Sequence, residues 1–196
     1  MVPAAKPVPC STYATRDHGR CRSRVVLCKE GIMEDYLLQG CINHIHGLEG
    51  FDHMRMTELE PGHCKVEIDT HQGLQNVYGN MHGGAIMVLV DMVSSTAAFA
   101  CGKHVITLTS DTNFIKGLKI DGRDVTIVGD VVHNGRTTMV VETKIFDADG
   151  RECVRNTSTM YVPREVDPDE EPPIAPLSYD SNFLNGRNPL EENPSM

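Results

Sequence analysis

What this chain of 196 residues lacks narrows its function before any motif is read. No basic stripe offsets the formal net charge of −9, which argues against a nucleic-acid partner. The apolar run at 85–100 falls short of the ~20 residues a membrane span needs, and Asp91 interrupts it, so no span is expected. The first residues hold no apolar core of the length a secretory signal requires. There is no CxxC. The seven cysteines (Cys10, Cys21, Cys28, Cys41, Cys64, Cys101 and Cys153) lack the spacing of a disulfide framework and are expected as free thiols in a reducing compartment. His44-x-His46 and His63-Cys64 fit no common zinc spacing, and no metal or other cofactor is expected.

What is present divides into three stretches. Residues 1–29 are irregular and locally basic, with Lys6, Arg16, Arg20, Arg22, Arg24 and Lys29 against Asp17 alone. Such a start resembles an organelle transit peptide; the plainer expectation is an extension on a cytoplasmic protein, with a mitochondrial location as the alternative. Residues 163–196 carry repeated prolines and the acidic run Asp167-x-Asp169-Glu170-Glu171, a composition expected to form a disordered tail. Between them, residues 30–162 have the apolar content for one domain.

In that middle stretch, Ile32, Met33, Tyr36, Leu37, Ile42 and Ile45 recur at the spacing of an amphipathic helix over 30–47. Strands are expected at 54–59, 63–70, 105–114, 124–133, 136–146 and 151–162. Pro61-Gly62 and Asp147-Ala148-Asp149-Gly150 read as turns, and Asn134-Gly135 as a two-residue hairpin turn. The run 85–100 is too long for an ordinary strand and rich in small and unbranched residues, so it reads as a helix, apolar nearly all round and therefore buried. One helix against a largely antiparallel sheet is an α+β domain.

The chemistry concentrates at the start of that helix. Gly83 and Gly84 follow His82, and the backbone N–H groups of a helix's first turn have no partner within the helix. They can polarise a carbonyl and stabilise the oxyanion formed on attack. Asp91, the one charge in the run, stands eight residues beyond Gly83, about 12 Å along the axis. One helix cannot bring its own first turn and its own Asp91 to one carbon. If both act, two copies with antiparallel helices are required.

Asn76, Gly79-x-x-His82-Gly83-Gly84, Asp91 and Thr109-x-Asp111-x-Asn113 together resemble the hotdog-fold acyl-CoA thioesterases, in particular the phenylacetate-pathway (PaaI-type) and acyl-CoA thioesterase 13-like enzymes. The resemblance implies a sheet wrapped round one long central helix, and hydrolysis of acyl-CoA to free acid and coenzyme A by a homodimer or homotetramer, as in fatty acid metabolism. It implies that Gly83 polarises the thioester carbonyl. Asp91 of the facing subunit then activates water or attacks directly, Asn76 positions the water or carbonyl, and Thr109 holds the water. His82 is expected to shape the turn, with Gly84 beside it. Coenzyme A is a polyanion, so local cations are expected to bind it: Arg136 first, then Lys116, with Lys119 and Arg123 as further candidates. A non-catalytic acyl-CoA sensor or scaffold of the same fold is the alternative.

Overall fold

The computed structural model describes residues 26, 27, 37, 40, 41, 44, 45 and 54–167. The seven strands are β1 (Val26–Leu27), β2 (Met54–Glu60), β3 (His63–Asp69), β4 (Ile106–Phe114), β5 (Asp124–Asn134), β6 (Thr138–Phe146) and β7 (Glu152–Tyr161). They form one sheet in the order β1-β2-β3-β5-β6-β7-β4. Every pairing is antiparallel except that of β1 with β2. The central helix, Gly83–Phe99, lies against this sheet and touches β3, β4, β5, β6 and β7. This is the α+β arrangement expected, with β1 an addition inside the stretch read as irregular.

Alternation sets the core. Cys64, Val66 and Ile68 of β3 are fully buried, while Lys65, Glu67 and Asp69 keep partial exposure on the other face. Leu37, Cys41 and Ile45 are helical and buried, as an amphipathic helix there requires, and His44 between them stays exposed. The rest of the expected first helix, the basic extension before residue 26, and the acidic tail after 167 lie outside the described residues.

Three expectations are corrected. The Asn134-Gly135 turn is not a two-residue hairpin. β5 ends at Asn134 and β6 begins at Thr138, Gly135 N–H donates to Thr138 C=O at 3.0 Å, and Gly135 is not among the glycines with positive φ. A type I′ turn at Asn134-Gly135 demands positive φ, whereas here the Gly135–Thr138 bond closes the turn over Arg136-Thr137, two residues further on. Second, pairing continues past Val162: His104 N–H donates to Arg164 C=O at 3.1 Å and Val166 N–H to Gly102 C=O at 2.8 Å. Third, the central helix is not buried all round. Ile86, Leu89, Val90, Val93, Ala97 and Ala98 face the sheet, but Gly84 and Asp91 are exposed and Met87, Val88 and Ser95 only half-buried. These positions recur every three or four residues, so one stripe of the helix is left uncovered by the described residues.

Candidate active site

The helix start is built by the loop before it. Asn76 Oδ1 accepts from the N–H groups of Tyr78 (2.9 Å) and Asn80 (3.2 Å), and Gly79 takes a positive φ of 79°. Met81 N–H donates to Leu118 C=O at 2.7 Å and His82 N–H to Leu74 C=O at 2.7 Å, fixing the approach to the helix. The Asn76 oxygen is thus committed to the loop, and its amide nitrogen is the part left to meet a ligand. His82 is the N-cap, with Nδ1 accepting from Gly84 N–H at 2.9 Å. This is the turn-shaping role expected of it. A Cβ on Gly84 would stand 3.1 Å from that ring nitrogen, so glycine keeps the cap close. With the Gly84 N–H occupied, the Gly83 N–H has no acceptor among the described residues and stands at the positive end of the helix.

Two turns on, Asp91 points out of the open stripe. Its Oδ1 accepts from Thr107 Oγ1–H at 2.8 Å. Its backbone carbonyl accepts from Ser94 at 3.1 Å and from Ser95. Ser95 Oγ in turn lies 3.2 Å from His44 Nε2. The hydroxyl on the carboxylate is therefore Thr107's and not Thr109's. β4 has an extra residue here: Thr107 stands opposite Met160 and Thr109 opposite Thr159, with Leu108 unmatched. This bulge puts Thr107 on the face of the buried Met160. Thr109 falls with Asp111 and Asn113, on the face of Thr157 and Arg155. The sequence offers no reading of Thr107 or Ser95, and of His44 only the rejected zinc spacing with His46. The signal for Thr107 was a second threonine two residues before the one chosen.

At the far end of the same strand the Phe114 ring packs 3.8 Å from where a Gly83 Cβ would be. β4 thus runs beside the first half of the helix, from the Asp91 carboxylate to the free N–H.

Comparison with known proteins fits this arrangement. The family model of the thioesterase superfamily matches residues 78–154. A Pseudomonas aeruginosa protein named as an esterase is 32% identical over 120 residues, covering 59% of this chain and 76% of its own length. A thioesterase structure from Streptococcus pneumoniae, solved with coenzyme A, is 30% identical at TM-score 0.60, covering 67% of this chain and 99% of that one. The chain belongs to the thioesterase superfamily. The Escherichia coli PaaI protein, 14% identical at TM-score 0.62 over 69% of this chain and 99% of its own, shares the fold. The pneumococcal protein was also solved as two alanine variants, one of an aspartate and one of a threonine 16 residues further on. In this superfamily member Asp91 and Thr107 stand at that same interval.

The remaining residues expected to bind substrate are not brought together within one chain of this thioesterase-superfamily fold. Lys116 Nζ pairs with Asp147 Oδ2 at 2.7 Å, beside the helix start. The pair draws the Asp147 carboxyl down to about 2, with backbone N–H groups helping. A pocket of about 300 Å³ lies there, lined by Lys116, Lys119, Arg123, Asp147 and Arg151 among others. Arg123 in it is tied to Asp121 and Asp149, each at 2.9 Å. Arg136 is exposed at the β5–β6 loop, next to Lys103, which holds Asn134 and Gly135 just beyond the helix's other end. β6 separates the two positions by roughly 25–30 Å. No group of histidine, cysteine or acidic side chains among the described residues could hold a metal ion, and no described helix is long and apolar enough to cross a membrane.

Proposed function

We propose that the chain is an acyl-CoA thioesterase whose active site forms between two copies. The observation that carries this reading is the position of Asp91: a carboxylate on the open stripe of the helix, oriented by Thr107 at 2.8 Å, about 12 Å from the free Gly83 N–H of its own chain. Antiparallel helices that set Gly83 of one copy against Asp91 of the other give each reacting carbon both groups. The half-open β4 edge, where Ile106, Leu108, Phe114 and Ile115 are each 55–58% exposed, is where the second copy pairs. A dimer is the unit this requires; two dimers can associate further.

In this site the Gly83 N–H polarises the thioester carbonyl and stabilises the oxyanion. Asp91 takes a proton from the attacking water, the tetrahedral intermediate collapses, and coenzyme A leaves as thiolate. Thr107 keeps the carboxylate turned toward the water, and we assign to it rather than to Thr109 the hydroxyl that holds that water. The Asn76 amide nitrogen is placed to reach the carbonyl or the water. The same antiparallel arrangement brings Arg136 of one copy to the end where the other carries Lys116 and Lys119, so the cations expected to meet coenzyme A phosphates converge only across the pair.

The test is coenzyme A release from short, medium, long and aromatic acyl-CoAs, followed chromatographically because the seven cysteines would consume thiol reagents. Hydrolysis that drops about 10²–10⁴-fold in Asp91→Asn is the expected result. Tight acyl-CoA binding without turnover in either protein replaces this reading with the sensor.

A further inference from the structure

The antiparallel arrangement also says what the acyl group meets. If Gly83 of one copy faces Asp91 of the other, the pair's two-fold axis passes midway, at position 87, and Ser95 of the second copy then faces position 79 of the first. Toward the axis the two Met87 side chains close the gap. Away from it the space is bounded by Ser95 and His44 on one side. On the other stands the loop carrying Val77 and Tyr78, 91% and 84% exposed in the single chain and held rigid by Asn76. A loop so tightly hydrogen-bonded that still presents a bare aliphatic side chain and a bare phenol ring is suited to wall an acyl pocket.

The hydrogen bonds around Ser95 fix the polarity of that pocket's end. Ser95 Oγ–H is committed to the Asp91 carbonyl, so the hydroxyl can only accept from His44. His44 must then carry its proton on Nε2, which donates to Ser95 at 3.2 Å. In the neutral ring Nδ1 is left as an acceptor, and it has no partner among the described residues. Although His44 keeps exposed surface, the protein packed round its ring lowers its pKa, against a smaller opposing pull from the Asp91 charge, so the neutral form prevails near pH 7. Ser95, which holds the ring, stands one helical turn, about 5–6 Å, beyond the catalytic carboxylate, and an acceptor on that ring calls for a donor on the substrate at about that reach.

We propose that His44 is a specificity-determining residue that selects acyl groups bearing a hydroxyl about four or five carbons from the thioester carbonyl. This rests on the thioesterase reading and on its two-copy site. A carbonyl oxygen at the same carbon has no proton to give, and a plain chain leaves Nδ1 unpaired, so both are disfavoured against the hydroxyl.

Three substrates that differ at one carbon test this: hexanoyl-CoA, 5-hydroxyhexanoyl-CoA and 5-oxohexanoyl-CoA, compared by kcat/KM in the full chain. The wild type is expected to favour the hydroxylated substrate about tenfold over either other, with the difference mainly in KM. His44→Leu should bring the three values together, and His44→Gln, which can still accept, should restore part of the preference. Ser95→Ala, which frees the ring to change tautomer, should weaken discrimination between hydroxyl and ketone. Thermal melting of each variant confirms that it is folded. Equal hydrolysis of all three by the wild type, or a preference that survives His44→Leu, overturns the inference while leaving the thioesterase reading intact. No hydrolysis of any acyl-CoA overturns both.

Discussion

The two sides of the sheet are finished differently. On the β2–β3 side, Met54, Met56, Leu59, Cys64, Val66 and Ile68 are buried, and the side chains on the outer face are paired across strands. Arg55 reaches Asp69 at 2.5 Å and Asp124 at 2.8 Å, and Lys65 reaches Glu58 at 2.9 Å. On the other side β4 has β7 on one edge and, among the described residues, no strand on the other, yet it leaves Ile106, Leu108 and Phe114 each more than half exposed. A strand of nine residues with bare apolar side chains and unpaired backbone groups is a template for another strand. One side is complete in a single chain. The other is left open, a second chain is what we propose to complete it, and it is the side that carries Thr107 and flanks Gly83.

Charging the incomplete side should therefore have the largest effect. Leu108→Glu should halve the particle mass seen by light scattering and reduce thioesterase activity by 10³-fold or more on the order of what losing a composite base and oxyanion donor together implies. Thr126→Glu, on the outer face of the complete side, should leave mass and turnover as they are. A Leu108→Glu protein that stays fully active as a monomer would show that one chain carries the whole site.

Within β4 the contrast narrows to two threonines. Thr107→Val removes the hydroxyl bonded to Asp91 at 2.8 Å. A hydrogen bond to a charged group is worth about 1.5–3 kcal/mol, so kcat should fall about 10- to 150-fold with KM nearly unchanged. Thr107→Ser should recover most of it. Thr109→Val, on the opposite face, should change either constant by less than about threefold. The reverse ranking would return the water-holding role to Thr109.

Why the fold is legible in the sequence and the contact of Thr107 with Asp91 is not is a matter of periodicity. Six strands and the central helix could be placed within a few residues because alternation and a long apolar run are written in the chain itself. The bulge at Leu108 leaves no such mark. β4 and β7 there pair with one residue more on one strand, and only then does the neighbouring threonine come onto the face of Met160 and reach Asp91. Asn134-Gly135 differs for a related reason: the dipeptide favours a tight turn, but the registers of His133 with Val140 and Asn134 with Met139 keep Asn134 in the ladder and move the turn on to Arg136-Thr137. His82 was legible because a cap acts on its own neighbours. His44 meets Ser95 across 51 residues, and no local pattern announces such a contact.

The smallest contrast separates two cations. Arg136 has no partner among the described residues, whereas the Lys116 ammonium is already held by Asp147 at 2.7 Å. Asp147 titrates near 2, below the usual carboxylate value, so any stabilisation from the pair is fully present above about pH 4 and is lost only as the pH falls through 2. Across pH 5 to 8 Lys116 is therefore tied down throughout. Arg136→Glu should raise KM for acyl-CoA several-fold, with kcat changed less than twofold, and the effect should shrink as salt rises. Lys116→Ala should raise KM by less than about twofold, because an exposed pair already satisfied contributes little to a new anion. A larger effect at Lys116 than at Arg136 would mean that the substrate's phosphates displace Asp147, and Asp147→Asn should then lower KM.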